Sequence, residues 1–174
     1  MKILVTGGLG YIGSHTVVEL LHKGYDVIII DNLSNTSIDV LEGITRITGK
    51  TPEFHQIDIR NKSAMSQFFD KNTDISGIIH FAAFKAVGES VEKPLDYYEN
   101  NVAALVYLLK ESRKLTQPKF IFSSSCTVYG QAEKLPITED APVQKANSPY
   151  GNTKQIDEEI IQDYITSGGA LQAI

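Results

Sequence analysis

Met1-Lys2-Ile3-Leu4-Val5-Thr6-Gly7-Gly8-Leu9-Gly10-Tyr11-Ile12-Gly13 opens the chain, and Asp26-Val27-Ile28-Ile29-Ile30-Asp31 follows after one helical stretch. The apolar run 1–6 reads as a buried strand, residues 14–23 as a helix, Gly24 as a turn, and residues 26–30 as a second strand capped by Asp31. Between the first strand and the helix lies G-x-x-G-x-x-G at Gly7, Gly10 and Gly13. Side chains there would keep a diphosphate off the backbone N–H groups, block a turn needing positive φ, and push the helix off the strand. The helix start behind the turn adds free donors and a partial positive charge. Asp31 comes about 20 residues on, where an acid binds an adenosine ribose. A carboxylate there accepts from both ribose hydroxyls of NAD and repels the extra phosphate of NADP. The stretch predicts an NAD-binding strand–turn–helix–strand unit.

Outward from this unit, strand and helix patterns keep alternating. A polar loop covers residues 32–37, a helix 38–49, and a third strand 52–57 ending at Asp58. Residues 63–69 read as an amphipathic helix with Ser63 or Asn61 as N-cap. Residues 77–83 form a fourth strand, apolar enough to be covered on both faces. A long helix is expected over 94–115, a fifth strand over 118–123, and a last helix from near Pro149 to about Thr166, ended by Gly168-Gly169. Such alternation predicts an α/β fold, a doubly wound parallel sheet of the Rossmann type with right-handed crossovers. The expected domain organisation is one NAD-binding domain over 1–174. Residues 170–174 look like the opening of a sixth strand, so the expectation is a chain stopping inside that strand, its carboxyl-terminal substrate-binding part absent.

Bulk properties narrow the partners. The hydrophobic fraction of 42% and charged fraction of 21% are ordinary for a globular protein. A net charge of −5 argues against nucleic acid or an anionic membrane as the main partner. No apolar run approaches the roughly 20 residues that span a bilayer. Cys126 is the only cysteine, and His15, His22, His55 and His80 are scattered without ligand-like pairing. No disulfide framework or metal site is expected, and the predicted location is cytoplasmic.

In open parallel sheets ligands lie beyond the carboxyl ends of the strands, so residues just after each strand carry the chemistry. Asp58 can hydrogen-bond an adenine amino group; a capping or surface acid is the plain alternative. Phe81, Ala82 and Ala83 let a dinucleotide pass close to the backbone. Lys85 can reach a ribose, a phosphate or the substrate, a solvent-facing lysine being the alternative. Strand five ends in Ser123-Ser124-Ser125-Cys126-Thr127-Val128-Tyr129-Gly130, whose hydroxyls can hand a proton to a substrate oxygen. Tyr150-Gly151-Asn152-Thr153-Lys154 opens the last helix, and the spacing of four puts Tyr150 and Lys154 on one face. A lysine ammonium beside a phenol favours the phenolate, which suits Tyr150 as a general base near neutral pH.

These residues resemble the extended short-chain dehydrogenase/reductases, and most closely their sugar-nucleotide epimerase branch. Besides the glycine turn and the Tyr-Lys pair, the likeness rests on Asp31 to Asn35, His80 to Ser90, Tyr97 to Asn101, Ser123 to Gly130 and Ser148 to Lys154. The Lys85-Ala86-Val87-Gly88-Glu89-Ser90 segment is the most particular to that branch. The resemblance implies interconversion of UDP-glucose and UDP-galactose by transient oxidation at sugar C4 with tightly bound NAD. It implies that Gly7, Gly10, Tyr11, Ile12 and Gly13 meet the pyrophosphate, that Asp31, Asn32, Leu33, Ser34, Asn35 and Thr36 hold the ribose, and that Asp58 and Ile59 meet adenine. Phe81, Ala82, Ala83, Phe84, Lys85 and Asn100 would line the nicotinamide side. Tyr150, Lys154 and Ser125 would be catalytic, with Lys85, Ser125, Thr127 and Tyr150 at the UDP-hexose. A homodimer through the helices at 94–115 and 149–167 is also implied. Alternatives are another nucleotide-sugar epimerase, a 4,6-dehydratase, or a non-catalytic NAD-binding fragment. A dehydratase typically carries an Asp-Glu pair after the strand-five hydroxyl, where this chain has Cys126 and Thr127.

Overall fold

The computed structural model describes every residue except Glu133, Ala170 and Ile174. Six parallel strands form one sheet: β1 (Lys2–Thr6), β2 (Asp26–Asp31), β3 (Glu53–Gln56), β4 (Ile75–His80), β5 (Lys119–Phe122) and β6 (Gln172–Ala173). Their order is β3-β2-β1-β4-β5-β6. The chain winds outward from β1 in one direction and then, from β4, in the other. The order therefore reverses between β1 and β4, and a crevice opens at their carboxyl ends. This is the expected doubly wound Rossmann-type sheet. Residues 172–173 of the expected sixth strand pair with Lys119 and Phe120 of β5, while Ala170 and Ile174 lie outside the described residues.

Helices cover both faces because side chains alternate along each strand. Leu4, Ile28, Ile30, Ile78 and Phe120 point to one face, under Met65 and Phe68 of α3 (Lys62–Lys71), Leu105 and Leu108 of the helix over Ala104–Ser112, and Ile161 near the chain end. Ile3, Val5, Val27, Ile29 and Ile79 point to the other, under Val17 and Leu21 of α1 (Tyr11–His22) and Ile44 of α2 (Asp39–Thr48). Each fully buried aliphatic side chain contributes about 1.5–3 kcal/mol, so the two faces together hold the sheet. Asn61 caps α3, its side chain accepting from the Ala64 N–H at 3.1 Å. Gly49 ends α2 in the left-handed region at φ 69°.

Three expected boundaries change, each for a physical reason. Helix α1 begins at Tyr11 rather than 14, because Gly10 and Gly13 belong to the helix start and not to a loop. Strand β4 ends at His80 rather than 83. Its last link to β1 is Phe81 N–H to Thr6 C=O at 3.0 Å, after which Gly7 turns β1 away and leaves no partner. The helix expected over 94–115 is α5 (Pro94–Tyr97), a π-helical stretch over Tyr98–Ala103, and α6 (Ala104–Ser112). Before it lies an unexpected short helix, α4 (Val87–Glu92), whose Val87 and Val91 are exposed and so leave no amphipathic signature. The last helix, α7, spans Pro149–Thr166, with the Ser148 hydroxyl capping it at the Gly151 N–H. Among the described residues no helix is long and apolar enough to cross a membrane.

Candidate functional site

A cleft of about 490 Å³ lies at the carboxyl ends of β1 and β4, where strand order reverses. Its floor begins with the glycine turn. Gly7 has φ +68°, and a Cβ on it would sit 2.7 Å from the Ala82 nitrogen. A Cβ on Gly13 would fall 2.2 Å from the Gly7 carbonyl oxygen. The turn thus exists in this shape only with glycine at both positions. Gly10 is the N-cap and has no side chain to close off the N–H groups that follow. Tyr11 and Ile12 are 78% and 56% exposed, so the helix start faces open space. A cradle of free backbone donors at a helix N-terminus fits a diphosphate.

Asp31 closes one side. It is buried, and each of its carboxylate oxygens accepts one backbone N–H: Leu9 at 3.1 Å and Leu33 at 3.0 Å. Both oxygens keep lone pairs for further donors. The Leu33 bond holds that residue at φ +60° and ties the 32–36 loop to the strand end. Thr36 then donates to the Leu9 carbonyl at 2.7 Å, linking the loop to the glycine turn.

The other side is built from β4, β5 and α7. Phe81 to Lys85 lead away from β4 and are held by Asn101, a residue given no site role among the sequence expectations. Buried Asn101 accepts from the Phe84 N–H at 2.8 Å and donates to the Phe84 carbonyl at 3.0 Å. It also donates to the Thr153 hydroxyl at 3.1 Å, one residue before Lys154. The π-helical stretch places Asn100, which lines the cleft, and Asn101 side by side. One buried amide thereby fixes the Lys85 loop to the helix that bears Tyr150. The sequence signal for Asn101 was its place at the end of the Tyr97 to Asn101 segment that carries part of the family likeness.

Half-buried Tyr150 and buried Lys154 reach the same cleft from the first turns of α7. The Lys154 ammonium donates to the Ser123 carbonyl at 2.9 Å and lies 4.5 Å over the Phe122 ring. Burial pushes its pKa below the ordinary lysine value, while Asp157 and Glu158 pull it back up. Asp157 is itself buried with one carboxylate oxygen unpartnered, and burial lifts its pKa to about 7 against the pull of Lys154. His80 also stacks with Phe122, ring centroids 6.1 Å apart, and shares a 2.6 Å hydrogen bond with the Thr6 hydroxyl. Burial, with Lys154 nearby, lowers its pKa to about 3, so His80 is a neutral support and not a proton carrier.

Gly7, Gly10, Tyr11, Ile12, Gly13, Asp31, Asn32, Ser34, Asn35 and Thr36 line the cleft together with Ile59, Phe81, Ala82, Ala83, Phe84, Lys85, Asn100, Ser125, Tyr150 and Lys154. Leu33, Asp58 and Thr127 do not. Leu33 packs on the core. The Asp58 carboxylate is taken up by Arg60, at 2.6 Å from its guanidinium, and by the Asn32 amide, and the Arg60 hydrogen bonds hold its pKa at about 2. The Thr127 hydroxyl donates to the Ser125 hydroxyl at 3.0 Å. Ser123 and Ser124 of the strand-end hydroxyl run also line the cleft, and Ile30 and Ile57 do so without having been expected. Among the described residues no cluster of His, Cys, Asp or Glu has the makings of a metal site.

Comparison with known proteins bears on this site. The family model described as GDP-mannose 4,6 dehydratase matches residues 4–173. The chain is 50% identical over 163 residues to a UDP-glucose 4-epimerase of Haemophilus influenzae, covering 94% of this chain and 48% of that protein. To the UDP-glucose 4-epimerase of Bacillus subtilis it is 49% identical over 167 residues, 96% of this chain and 49% of the other. Among solved structures, a UDP-glucose 4-epimerase from Bifidobacterium longum in complex with NAD+ and UDP superposes with a TM-score of 0.95 at 45% identity. It matches 99% of this chain and 51% of its own. The chain therefore spans about half the length of the relatives it matches.

Proposed function

Because the chain belongs to the extended short-chain dehydrogenase/reductases of the GDP-mannose 4,6 dehydratase type, we propose that it is the NAD-binding domain, over residues 1–174, of an enzyme that interconverts UDP-glucose and UDP-galactose. One observation carries the proposal. The Tyr150–Lys154 pair, the strand-end serines and the dinucleotide cradle line a single cleft. The relatives named above are UDP-glucose 4-epimerases, and the one from Bifidobacterium longum holds NAD+ and UDP in its structure.

The residues present fit NAD. The Gly7 and Gly13 cradle admits a diphosphate with Tyr11 and Ile12 offering backbone donors, and Asp31 retains acceptor capacity for ribose hydroxyls. The 32–36 loop encloses that ribose, and Asp58 with Ile59 stands at the adenine end, Asp58 as the anchor of Asn32. Phe81 to Lys85 and Asn100 flank the nicotinamide end. When bound, NAD supplies the acceptor for the C4 hydride and returns it to the opposite face of the sugar.

Tyr150 removes the proton from the C4 hydroxyl and gives it back when the 4-keto sugar is reduced. Lys154, which lines the same cleft, orients the nicotinamide ribose. Ser125 hydrogen-bonds the same sugar oxygen and shares its proton, with Thr127 setting the serine hydroxyl's direction. Lys85 meets the hexose or its phosphate. We further infer a cytoplasmic homodimer that packs through the helical stretch at 94–115 and the helix at 149–167.

The family's name raises 4,6-dehydration as a second reading. That elimination needs an acid and a base beside the sugar, and Cys126 and Thr127 follow Ser125 instead. The test is Tyr150→Phe in the full-length enzyme. UDP-galactose epimerisation without added cofactor should disappear while NAD stays bound. Loss of NAD together with activity, or a stable keto product from the unmutated enzyme, refutes the reading.

A further inference from the structure

The stripe on α7 that carries Tyr150 and Lys154 does not stop there. Four residues further on, at the same helical spacing, stands Glu158. Its carboxylate accepts a hydrogen bond from the Ser124 hydroxyl across 34 residues of chain. One turn nearer Tyr150, Lys154 holds the Ser123 carbonyl at 2.9 Å. The strand-end run is thus gripped at two consecutive residues by two consecutive turns of one helix. Ser125, the next residue, lines the cleft, and its hydroxyl accepts from the Thr127 N–H at 3.3 Å and the Thr127 hydroxyl at 3.0 Å. Nothing else among the described hydrogen bonds holds the Ser124 side chain.

Glu158 does not line the cleft, so it acts only through what it touches. Without that bond the run 123–125 would hang from β5 by the Lys154 contact and the Ser123 N–H to His80 C=O bond at 3.2 Å. Both lie at or before Ser123; beyond it Ser125 is tied by the Val128 N–H to Ser125 C=O bond at 3.2 Å, and Val128 in turn by the Gln155 amide of α7, so the slack falls on Ser124 between the two anchors. A hydroxyl that must stand within hydrogen-bond reach of the same oxygen as Tyr150 tolerates little of that motion. Glu158 also contributes negative charge beside Lys154, offsetting the effect of burial on the ammonium.

We propose that Glu158 is a positioning residue of the epimerase site, latching the serine run of β5 to α7 so that Ser125 and Tyr150 address one substrate oxygen. The role rests on the proposed epimerisation, and its test separates the two. In the full-length enzyme Glu158→Ala should lower kcat about tenfold, roughly the effect of losing one charge-assisted hydrogen bond. KM for UDP-galactose and the NAD content should not change. Glu158→Gln keeps an acceptor oxygen for Ser124 and should recover kcat to within about threefold of the unmutated enzyme. Hydrogen exchange of the 123–127 amides should quicken in Glu158→Ala and not in Glu158→Gln, a measurement that needs no turnover. Unchanged kcat and exchange in Glu158→Ala overturn the latch. So does equal loss in both variants with NAD lost, which marks a merely structural carboxylate. An unmutated enzyme that fails to epimerise refutes the proposed function instead, and the exchange comparison then decides the latch alone.

Discussion

Replacing Gly13 with alanine tests the cradle where the steric argument is sharpest. Gly13 lies in the first turn of α1, where alanine is normally worth up to about 1 kcal/mol over glycine. Here the added Cβ would stand 2.2 Å from the Gly7 oxygen, 2.9 Å from the Gly8 Cα and 3.0 Å from the Gly7 carbonyl carbon. All three are backbone atoms, so no side chain can swing aside. The helix start and the turn must part by about 1 Å, an overpacking cost of the order of 1–3 kcal/mol. The Gly7 oxygen already accepts the Gly10 N–H at 3.1 Å, so that bond is strained as well. The net expectation is a loss of about 2 kcal/mol. With a urea slope of about 1–3 kcal/mol/M, the unfolding midpoint drops by roughly 1 M. Losing alignment of one donor to the diphosphate weakens NAD by about tenfold or more, read by calorimetric titration. Gly43→Ala is the control, because a Cβ there meets nothing within 4 Å inside α2. It should stabilise the protein by about 0.4–1 kcal/mol and leave NAD affinity alone. If Gly13→Ala unfolds at the unmutated midpoint with unchanged NAD affinity, the cradle argument is wrong.

Two further perturbations probe the electrostatics. Asp31→Ala removes the acceptor of the Leu9 and Leu33 N–H groups, so NAD should bind more weakly and the preference over NADP should shrink; competition binding reads both, and unchanged selectivity rejects the ribose assignment. Asp157 has a folded pKa of about 7 against an ordinary value of 3.8, so the folded state holds the extra proton between those two pH values. Its contribution therefore makes stability fall as pH rises from about 4 to 7 and levels off above. Asp157→Asn, neutral throughout, should flatten that slope and raise stability at pH 8 by at least about 1 kcal/mol, measured by urea unfolding across pH; a slope identical to the unmutated chain's refutes it.

Much of the fold was legible because its signals are short-range. The apolar runs at 1–6, 26–30 and 77–83 needed only neighbouring residues to declare the buried strands found at 2–6, 26–31 and 75–80, and their alternation with helices dictated a parallel sheet. The boundaries that moved did so for reasons outside the local pattern. Phe81-Ala82-Ala83 is as apolar as a strand, yet the sheet ends at His80 because Gly7 turns the neighbouring strand away. Helix α4 hides because its valines face outward, and the π-helical stretch because periodicity alone does not distinguish one extra residue in a turn.

The sequence by itself determined the glycine cradle, the acid at the end of β2 and the Tyr150–Lys154 pair. Each is set by sterics or spacing within a few residues, and each survives as a local fact wherever the rest of the chain goes. The tertiary structure alone decided what converges on them. Asn101 binds Phe84 from 17 residues away and Thr153 from 52, Ser124 meets Glu158 across 34, and Asp157 is buried only once α7 packs against the helical segments around it. Such contacts depend on which strands neighbour one another, and that follows from the packing of two whole faces rather than from the residues on either side of any one of them.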